Sequence, residues 1–173
     1  MTGADDETPS APEPLGEQHD LSDFDSGQPS LDDWLRRRAR ANQAGGASRS
    51  FVVPVGTTVV AFYSLSATAI AREVAAPGIT RNMPNPIPML LIGRLAVDRR
   101  WQGRGIADGM MGDAVLRALQ VAEHAGVRGL LVHAISEEAA RFYRRWDFTP
   151  SRADPLTMMV RLDDIARTLK QAD

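Results

Sequence analysis

The chain has 173 residues, no cysteine, 43% hydrophobic residues and a formal net charge of −2. That length suits one domain with a substantial core, and the missing cysteine excludes a disulfide framework, a thiolate nucleophile and a cysteine-ligated zinc site. No apolar run reaches the ~18 residues of a membrane span, and the N-terminal stretch lacks the basic and apolar regions of a secretory signal, so a cytoplasmic location is expected.

The net charge conceals an asymmetry. Residues 1–33 carry ten acids (Asp5, Asp6, Glu7, Glu13, Glu17, Asp20, Asp23, Asp25, Asp32 and Asp33) and no Lys or Arg. The other 140 residues carry 12 acids against 20 bases, of which 19 are Arg. A basic body with an acidic end fits a polyanionic partner. It equally fits an Arg-rich composition that merely solvates the surface, and charge alone does not separate the two.

In chain order, residues 1–12 read as a disordered acidic tail and 13–168 as the folded domain. A short strand is expected near residues 13–15. Ser30 reads as an N-cap for a helix over 31–42, burying Leu31, Trp34, Leu35 and Ala39 at helical spacing, with Gly45 and Gly46 ending it. Two β-rich runs, 50–55 and 57–65, read as a hairpin. A long connection, 66–87, is broken by Pro77, Gly78, Pro84 and Pro86 and is expected to hold one helical turn over 69–74; loops this long are usually functional. Then follow a strand over 89–97, a helix over 106–125 counting Leu116 and Val121 among its apolar positions, a strand over 130–134, a helix over 137–146 and a last strand over 156–162. This order predicts an α/β domain with a mixed sheet.

The informative stretch joins the strand ending in Leu95, Ala96 and Val97 to a basic loop, Asp98-Arg99-Arg100-Trp101-Gln102-Gly103-Arg104-Gly105-Ile106-Ala107. Its glycines permit tight turning, and the amides of the helix start, with flanking Arg, suit a pyrophosphate. Neither the phosphate-loop nor the dinucleotide fingerprint fits. The acids of the N-terminal segment are expected to lie away from this site.

The run Gln102 to Ala107 after an apolar strand resembles the acetyl-CoA pyrophosphate loop of the GNAT acyltransferase superfamily, with Ala107 where Gly is commoner. Ala139-Ala140-Arg141-Phe142-Tyr143, followed by Asp147-Phe148, resembles that family's second signature. Leu15, His19-Asp20, Phe24-Asp25-Ser26-Gly27, Leu31 to Leu35, Ser48 to Val53, Pro86-Ile87-Pro88 and Asp154 to Met159 are similar to the GNAT-type toxins of toxin–antitoxin modules. The resemblance spans roughly residues 13–165 and implies an α+β GNAT fold with a mixed, mostly antiparallel sheet flanked by helices. It further implies acetyl-CoA as co-substrate, acetylation of the α-amino group of aminoacyl-tRNA with a block of translation, a ribbon-helix-helix antitoxin and a homodimer. An acetyltransferase for a small amine or a protein N-terminus, and a non-catalytic acyl-CoA-binding module, are the alternatives.

Under that resemblance the backbone amides of Leu95, Ala96 and Val97 would hold the pantetheine and acetyl carbonyl, and Gln102, Gly103, Arg104, Gly105, Ile106 and Ala107 the pyrophosphate. Tyr143 would protonate the leaving thiolate, since an ordinary phenol, pKa ≈ 10, is protonated at neutral pH. No Glu, Asp or His stands at an obvious base position in 59–65. That tilts the acceptor toward an α-amine of pKa about 7.7–8.0, rather than a lysine. Ser136 either contacts the pantetheine or caps the following helix, with the cap preferred. His133 either serves substrate or base, or is a buried, hydrogen-bonded strand residue, and the buried reading is preferred. Arg72, Arg81 and Arg94 are candidates for tRNA phosphate contacts or a solvated rim, and Trp101 for stacking on a nucleotide. His19 is expected to be structural and His124 a surface residue. No metal is expected.

Overall fold

The computed structural model describes residues 8–172. Of the tail expected over 1–12, residues 1–7 lie outside this description, and Ser10 donates its backbone N–H to the Pro54 carbonyl at 2.9 Å. The elements are β1 (Glu13–Pro14), α1 (Pro29–Arg37), α2 (Ala39–Ala44), β2 (Arg49–Val55), β3 (Thr58–Ile70), β4 (Ile87–Val97), α3 (Ile106–Ala122), β5 (Gly129–His133), α4 (Glu137–Arg145), β6 (Thr149–Pro150), β7 (Thr157–Arg161) and α5 (Leu162–Ala172). The seven strands follow the order β1-β2-β3-β4-β5-β7-β6. Pairing is antiparallel for β1–β2, β2–β3, β5–β7 and β6–β7, and parallel for β4–β5. The expected mixed, mostly antiparallel α+β architecture is what these residues build.

Two compact units are distinguishable: the chain up to Ser66 with Arg94–Asp113, and Ala67–Gly93 with the chain from Ala114 onward. In the first, Leu15, Leu21, Phe24, Leu31, Leu35, Ala39, Val52, Val59, Phe62 and Ala96 form one buried cluster. Phe62 is its aromatic centre, edge-on to Phe24 with centroids 5.5 Å apart and stacked on Trp34 at 6.1 Å. Truncating so buried a ring to Ala typically costs about 3–5 kcal/mol. Pro54 sits in β2 where the register shifts between Val53 and Pro54, since a residue without an N–H is tolerated at a bulge.

In the second unit, Ile70, Ala75, Ala76, Ile79, Ile87, Met89, Leu131 and Met159 form the buried cluster. It includes the connection between β3 and β4, so that segment is anchored by its own apolar residues. Arg128 ties it further, donating to the Ile79 and Gly78 carbonyls at 2.9 and 3.0 Å.

Several elements differ from the sequence reading. Ser30 is not the N-cap: Gln28 holds that position without a side-chain cap, and Pro29 opens the helix, its fixed φ suiting the first turn. The helix breaks at Arg38, whose φ of −121° separates α1 from α2. Strand β3 continues to Ile70, leaving only a short 3-10 turn, Arg72–Val74, of the expected helical turn. Leu116 and Val121 are exposed on α3 at 54% and 37%. Helix α5 was not foreseen, although Leu162, Ile165 and Leu169 carry helical spacing behind Asp163 and Asp164.

Candidate active site

The loop after β4 is shaped by two glycines and one buried acid. Gly103 and Gly105 have φ of +77° and +83°, which L-residues adopt only at a cost. A Cβ at either position would meet no heavy atom within 4 Å. Glycine is therefore required by the backbone, and the space above it is open. Gly109 N–H bonds the Gly105 carbonyl at 3.1 Å, and by helix geometry the amides just before it lack an intrahelical acceptor. Open space over two glycines at a helix start fits a pyrophosphate.

Asp98 is fully buried. Its carboxylate accepts from the Arg100 backbone N–H and Nε at 3.0 Å each, from the Arg100 terminal nitrogen at 3.1 Å and from the Asp25 N–H at 3.1 Å. Burial by itself raises this carboxyl, but the Arg100 and Asp25 hydrogen bonds outweigh it and hold the pKa below its ordinary value. Arg99 pairs with Asp25 at 3.2 Å, and its N–H donates to the Asp25 carbonyl at 2.8 Å. Gln102 donates from Nε2 to the Ser26 carbonyl at 3.1 Å and the Val97 carbonyl at 2.9 Å. The segment around Asp25 is thus stitched to the loop. This corrects the expectation that the N-terminal acids lie away from it: Arg100 is pushed up chiefly by its bond to Asp98, then by the charges of Asp98, Asp23 and Asp25.

Arg104 lays its guanidinium 4.5 Å from the Trp101 ring centroid and donates to the Arg100 carbonyl at 3.1 Å. One face of Trp101 is therefore already covered. Arg94 covers Trp34 at 4.1 Å, and burial lowers its pKa. Leu95 and Val97 are partly exposed and Ala96 is buried. All these residues lie in the first unit.

Tyr143, Ser136, Arg72 and Arg81 lie in the second. Ser136 is the N-cap of α4, its Oγ accepting the Ala139 N–H at 3.1 Å; the hydroxyl proton stays available for another acceptor. Tyr143 is 7% exposed, its ring 5.3 Å from Phe142 and 5.5 Å from Phe148. Burial pushes its phenol up from 10 to about 12, so it is a protonated donor throughout the neutral range. Arg72 donates to the Thr80 and Met83 carbonyls at 2.9 and 2.5 Å, which binds it to its own loop. Arg81 is exposed. His19 is buried and bonded to Glu13 at 2.7 Å, and His124 is exposed, both as expected. His133 is exposed, not buried, because it is the last residue of β5 and the pairing with β4 stops one residue earlier, at Val132.

Sequence reasoning missed Asp98 as the organiser of the loop. The signal was present, an acid at a strand end directly before two arginines, yet its burial is a tertiary fact. It also missed the Tyr63 hydroxyl donating to Asp113, which joins β3 to the first half of α3.

A family model described as an acetyltransferase (GNAT) domain matches residues 47–150. The chain belongs to the GNAT acetyltransferase family. Within that family it is 46% identical over 160 residues to the tRNA-acetylating toxin of Mycobacterium tuberculosis, covering 92% of this chain and 96% of the relative. It is 25% identical to a probable toxin, TacT, of Sinorhizobium fredii, over 86% of this chain and 88% of that one. Among solved structures, a tyrosine-to-phenylalanine mutant of KacT superposes with a TM-score of 0.84 at 20% identity, covering 91% of this chain and 97% of KacT. AtaT complexed with acetyl-methionyl-tRNA superposes with a TM-score of 0.82 at 24% identity and the same coverages. These structural likenesses establish the GNAT fold. No helix among the described residues is long and apolar enough to cross a membrane.

Proposed function

We propose that this GNAT acetyltransferase is a toxin that moves the acetyl group of acetyl-CoA onto the α-amino group of aminoacyl-tRNA and so blocks translation. The carrying observation is the 46% identity, over 92% of the chain, to a tRNA-acetylating toxin. AtaT, of the same fold, has been seen with acetyl-CoA and with the C-terminus of the antitoxin AtaR, and this supports acetyl-CoA as co-substrate and a protein antitoxin here. The antitoxin is of the ribbon-helix-helix kind, the toxin a homodimer, and the location cytoplasmic.

In this reading the amides of 102–107 bind the pyrophosphate of acetyl-CoA, with Gly103 and Gly105 holding the backbone open, and the amides of Leu95, Ala96 and Val97 polarise the thioester carbonyl. Tyr143 gives its proton to the departing thiolate. Ser136 donates to the pantetheine while capping α4. Arg81 and Arg94 meet the phosphates of the acceptor end; Arg72 shapes the loop that carries Arg81.

The test is incubation of the purified chain with acetyl-CoA labelled in the acetyl group and total charged tRNA. Label in aminoacyl-tRNA, released as N-acetyl amino acid on mild base, is the expected result. Label in a peptide or polyamine with none in aminoacyl-tRNA overturns the reading.

A further inference from the structure

Strands β2, β3 and β4 share a face that carries the apolar cluster of the first unit, and one row across that face is polar. Val52 pairs with Phe62 across β2 and β3, and Ser50 pairs with Ser64 one step further along the same face. On the other side of β3 lies β4, and two observations set its offset. The Asp98 N–H bonds the Val60 carbonyl at 2.8 Å, and Ala96 shares the buried cluster with Phe62. Side chains two apart on a strand share a face, so the next step along sets Arg94 beside Ser64. Ser50, Ser64, Arg94, Trp34 and Phe62 all belong to the first unit.

This row lacks partners. Ser50 Oγ is buried with no hydrogen bond among the described residues, and Ser64 is buried as well. Arg94 is half-buried. Its guanidinium lies 4.1 Å from the Trp34 ring centroid, and Trp34 is in turn stacked on Phe62. Burial lowers the Arg94 pKa with no neighbouring charge to offset it. Among the described residues its side chain forms no ion pair and no hydrogen bond. By contrast Arg36, Arg99, Arg100 and Arg104 of the same unit each bond a carboxylate or a carbonyl, and Arg37 and Arg38 are exposed. A ring face attracts a guanidinium's charge but offers its N–H donors no oxygen. Holding those donors partly out of water unused costs free energy. The missing complement is an oxyanion, which a guanidinium binds bidentately.

We propose, resting on the acetyl-transfer reading above, that Arg94 on its Trp34 platform is an oxyanion subsite that selects the acceptor. Arg94 directly precedes Leu95, Ala96 and Val97, whose amides receive the thioester in that reading, while the pyrophosphate of the co-substrate has the glycine loop. The oxyanion held at Arg94 therefore belongs to the acceptor. In aminoacyl-tRNA it is a phosphodiester of the acceptor end; in a free amino acid it is the carboxylate. Trp34 is a positioning residue, which through its stack on Phe62 fixes where the guanidinium lies. An amine whose carboxyl is esterified to a small alcohol presents no oxyanion and forgoes this contact.

The experiment compares kcat/KM of wild type, Arg94→Gln, Arg94→Lys and Trp34→Leu on charged tRNA, on an amino acid methyl ester and on the free amino acid, with saturating acetyl-CoA and over a range of salt. The expected result for Arg94→Gln is a loss of roughly 10–100-fold on charged tRNA, carried by KM and much larger than the loss on the ester. The slope of log(kcat/KM) on log salt for charged tRNA becomes shallower by about one. Arg94→Lys keeps that slope but loses several-fold, being a point charge without the bidentate geometry, and Trp34→Leu loses part of the same selectivity. Equal losses on charged tRNA and on the ester, or an Arg94→Gln slope equal to that of wild type, overturn the subsite. If wild type labels no aminoacyl-tRNA and Arg94→Gln penalises the free amino acid, the oxyanion is a carboxylate: the subsite stands and the proposed function fails.

Discussion

The loop after β4 and the helix that carries Tyr143 prepare for the same proposed reaction in opposite ways. In the loop the conspicuous charges are already committed: Arg99 to Asp25, Arg100 to Asp98, and Arg104 to the Trp101 ring and a carbonyl. What remains for an anion is backbone, held open by Gly103 and Gly105. Around Tyr143 the backbone is occupied by helix, and the chemistry rests on side chains, one buried and neutral. The lesson is that a basic motif need not bind through its basic residues. Here the arginines stiffen the frame, and in the proposed reaction the amides face the ligand.

The sharpest test of this contrast is Tyr143→Phe. Removing one buried hydroxyl should cut kcat by roughly 10²–10⁴-fold while leaving the KM for acetyl-CoA and the melting temperature nearly unchanged, measured by initial rates and thermal unfolding. The pH dependence has a definite sign. Because the folded phenol titrates near 12 rather than 10, the protonated form favours folding, so its contribution is complete below pH 10 and is lost as pH rises toward 12. Wild type should therefore lose stability over that window, and Tyr143→Phe should lose less.

Asp98→Asn is expected to have a smaller effect, confined to the loop. It leaves Arg100 without its charged partner and weakens several bonds at once, destabilising the fold by about 1–3 kcal/mol and raising the KM for acetyl-CoA without a matching fall in kcat. The folded pKa of Asp98 is depressed, so its stabilisation is present above the unfolded value, about 3.9, and disappears as pH falls through the folded one. Acid unfolding of wild type against Asp98→Asn measures that component.

Gly105→Ala should be the mildest of the three. Nothing crowds its Cβ, so the cost is only that of a left-handed backbone, about 1–2 kcal/mol. It should appear as weaker acetyl-CoA binding in a direct titration, with kcat retained. A loss of kcat instead would mean that the loop takes part in the chemical step and would remove the distinction between the two regions.

Much of the site was legible because its signals are local. A glycine-bearing loop between an apolar strand and a helix requires short-range backbone geometry, and Ser136 three residues before Ala139 is a cap wherever the helix lands. Phe142 and Tyr143 followed by Phe148 were legible as the family's second signature, and the structure adds that the Tyr143 ring lies against both phenylalanines. Less was legible where a residue's environment comes from distant chain. Ser30 looked like a cap, but Pro29 and Gln28 set the start of α1. Leu116 counts among the apolar positions of its helix, yet it is exposed on α3.

By itself, then, the sequence determined the order of the main strands and helices as far as β7, the tight glycine-bearing loop at Gly103 and Gly105 and the family to which it points, because periodicity, caps and turn residues act over a few positions. Only the tertiary structure decided that Asp98 is buried beneath Arg100, that Asp25 reaches the loop from 73 residues away, and that Arg94 lies over the Trp34 ring. Those relations depend on which strands become neighbours and in what register. Apart from the β2–β3 hairpin, pairings such as β4–β5 and β5–β7 join residues far apart in the chain, beyond the reach of a local pattern.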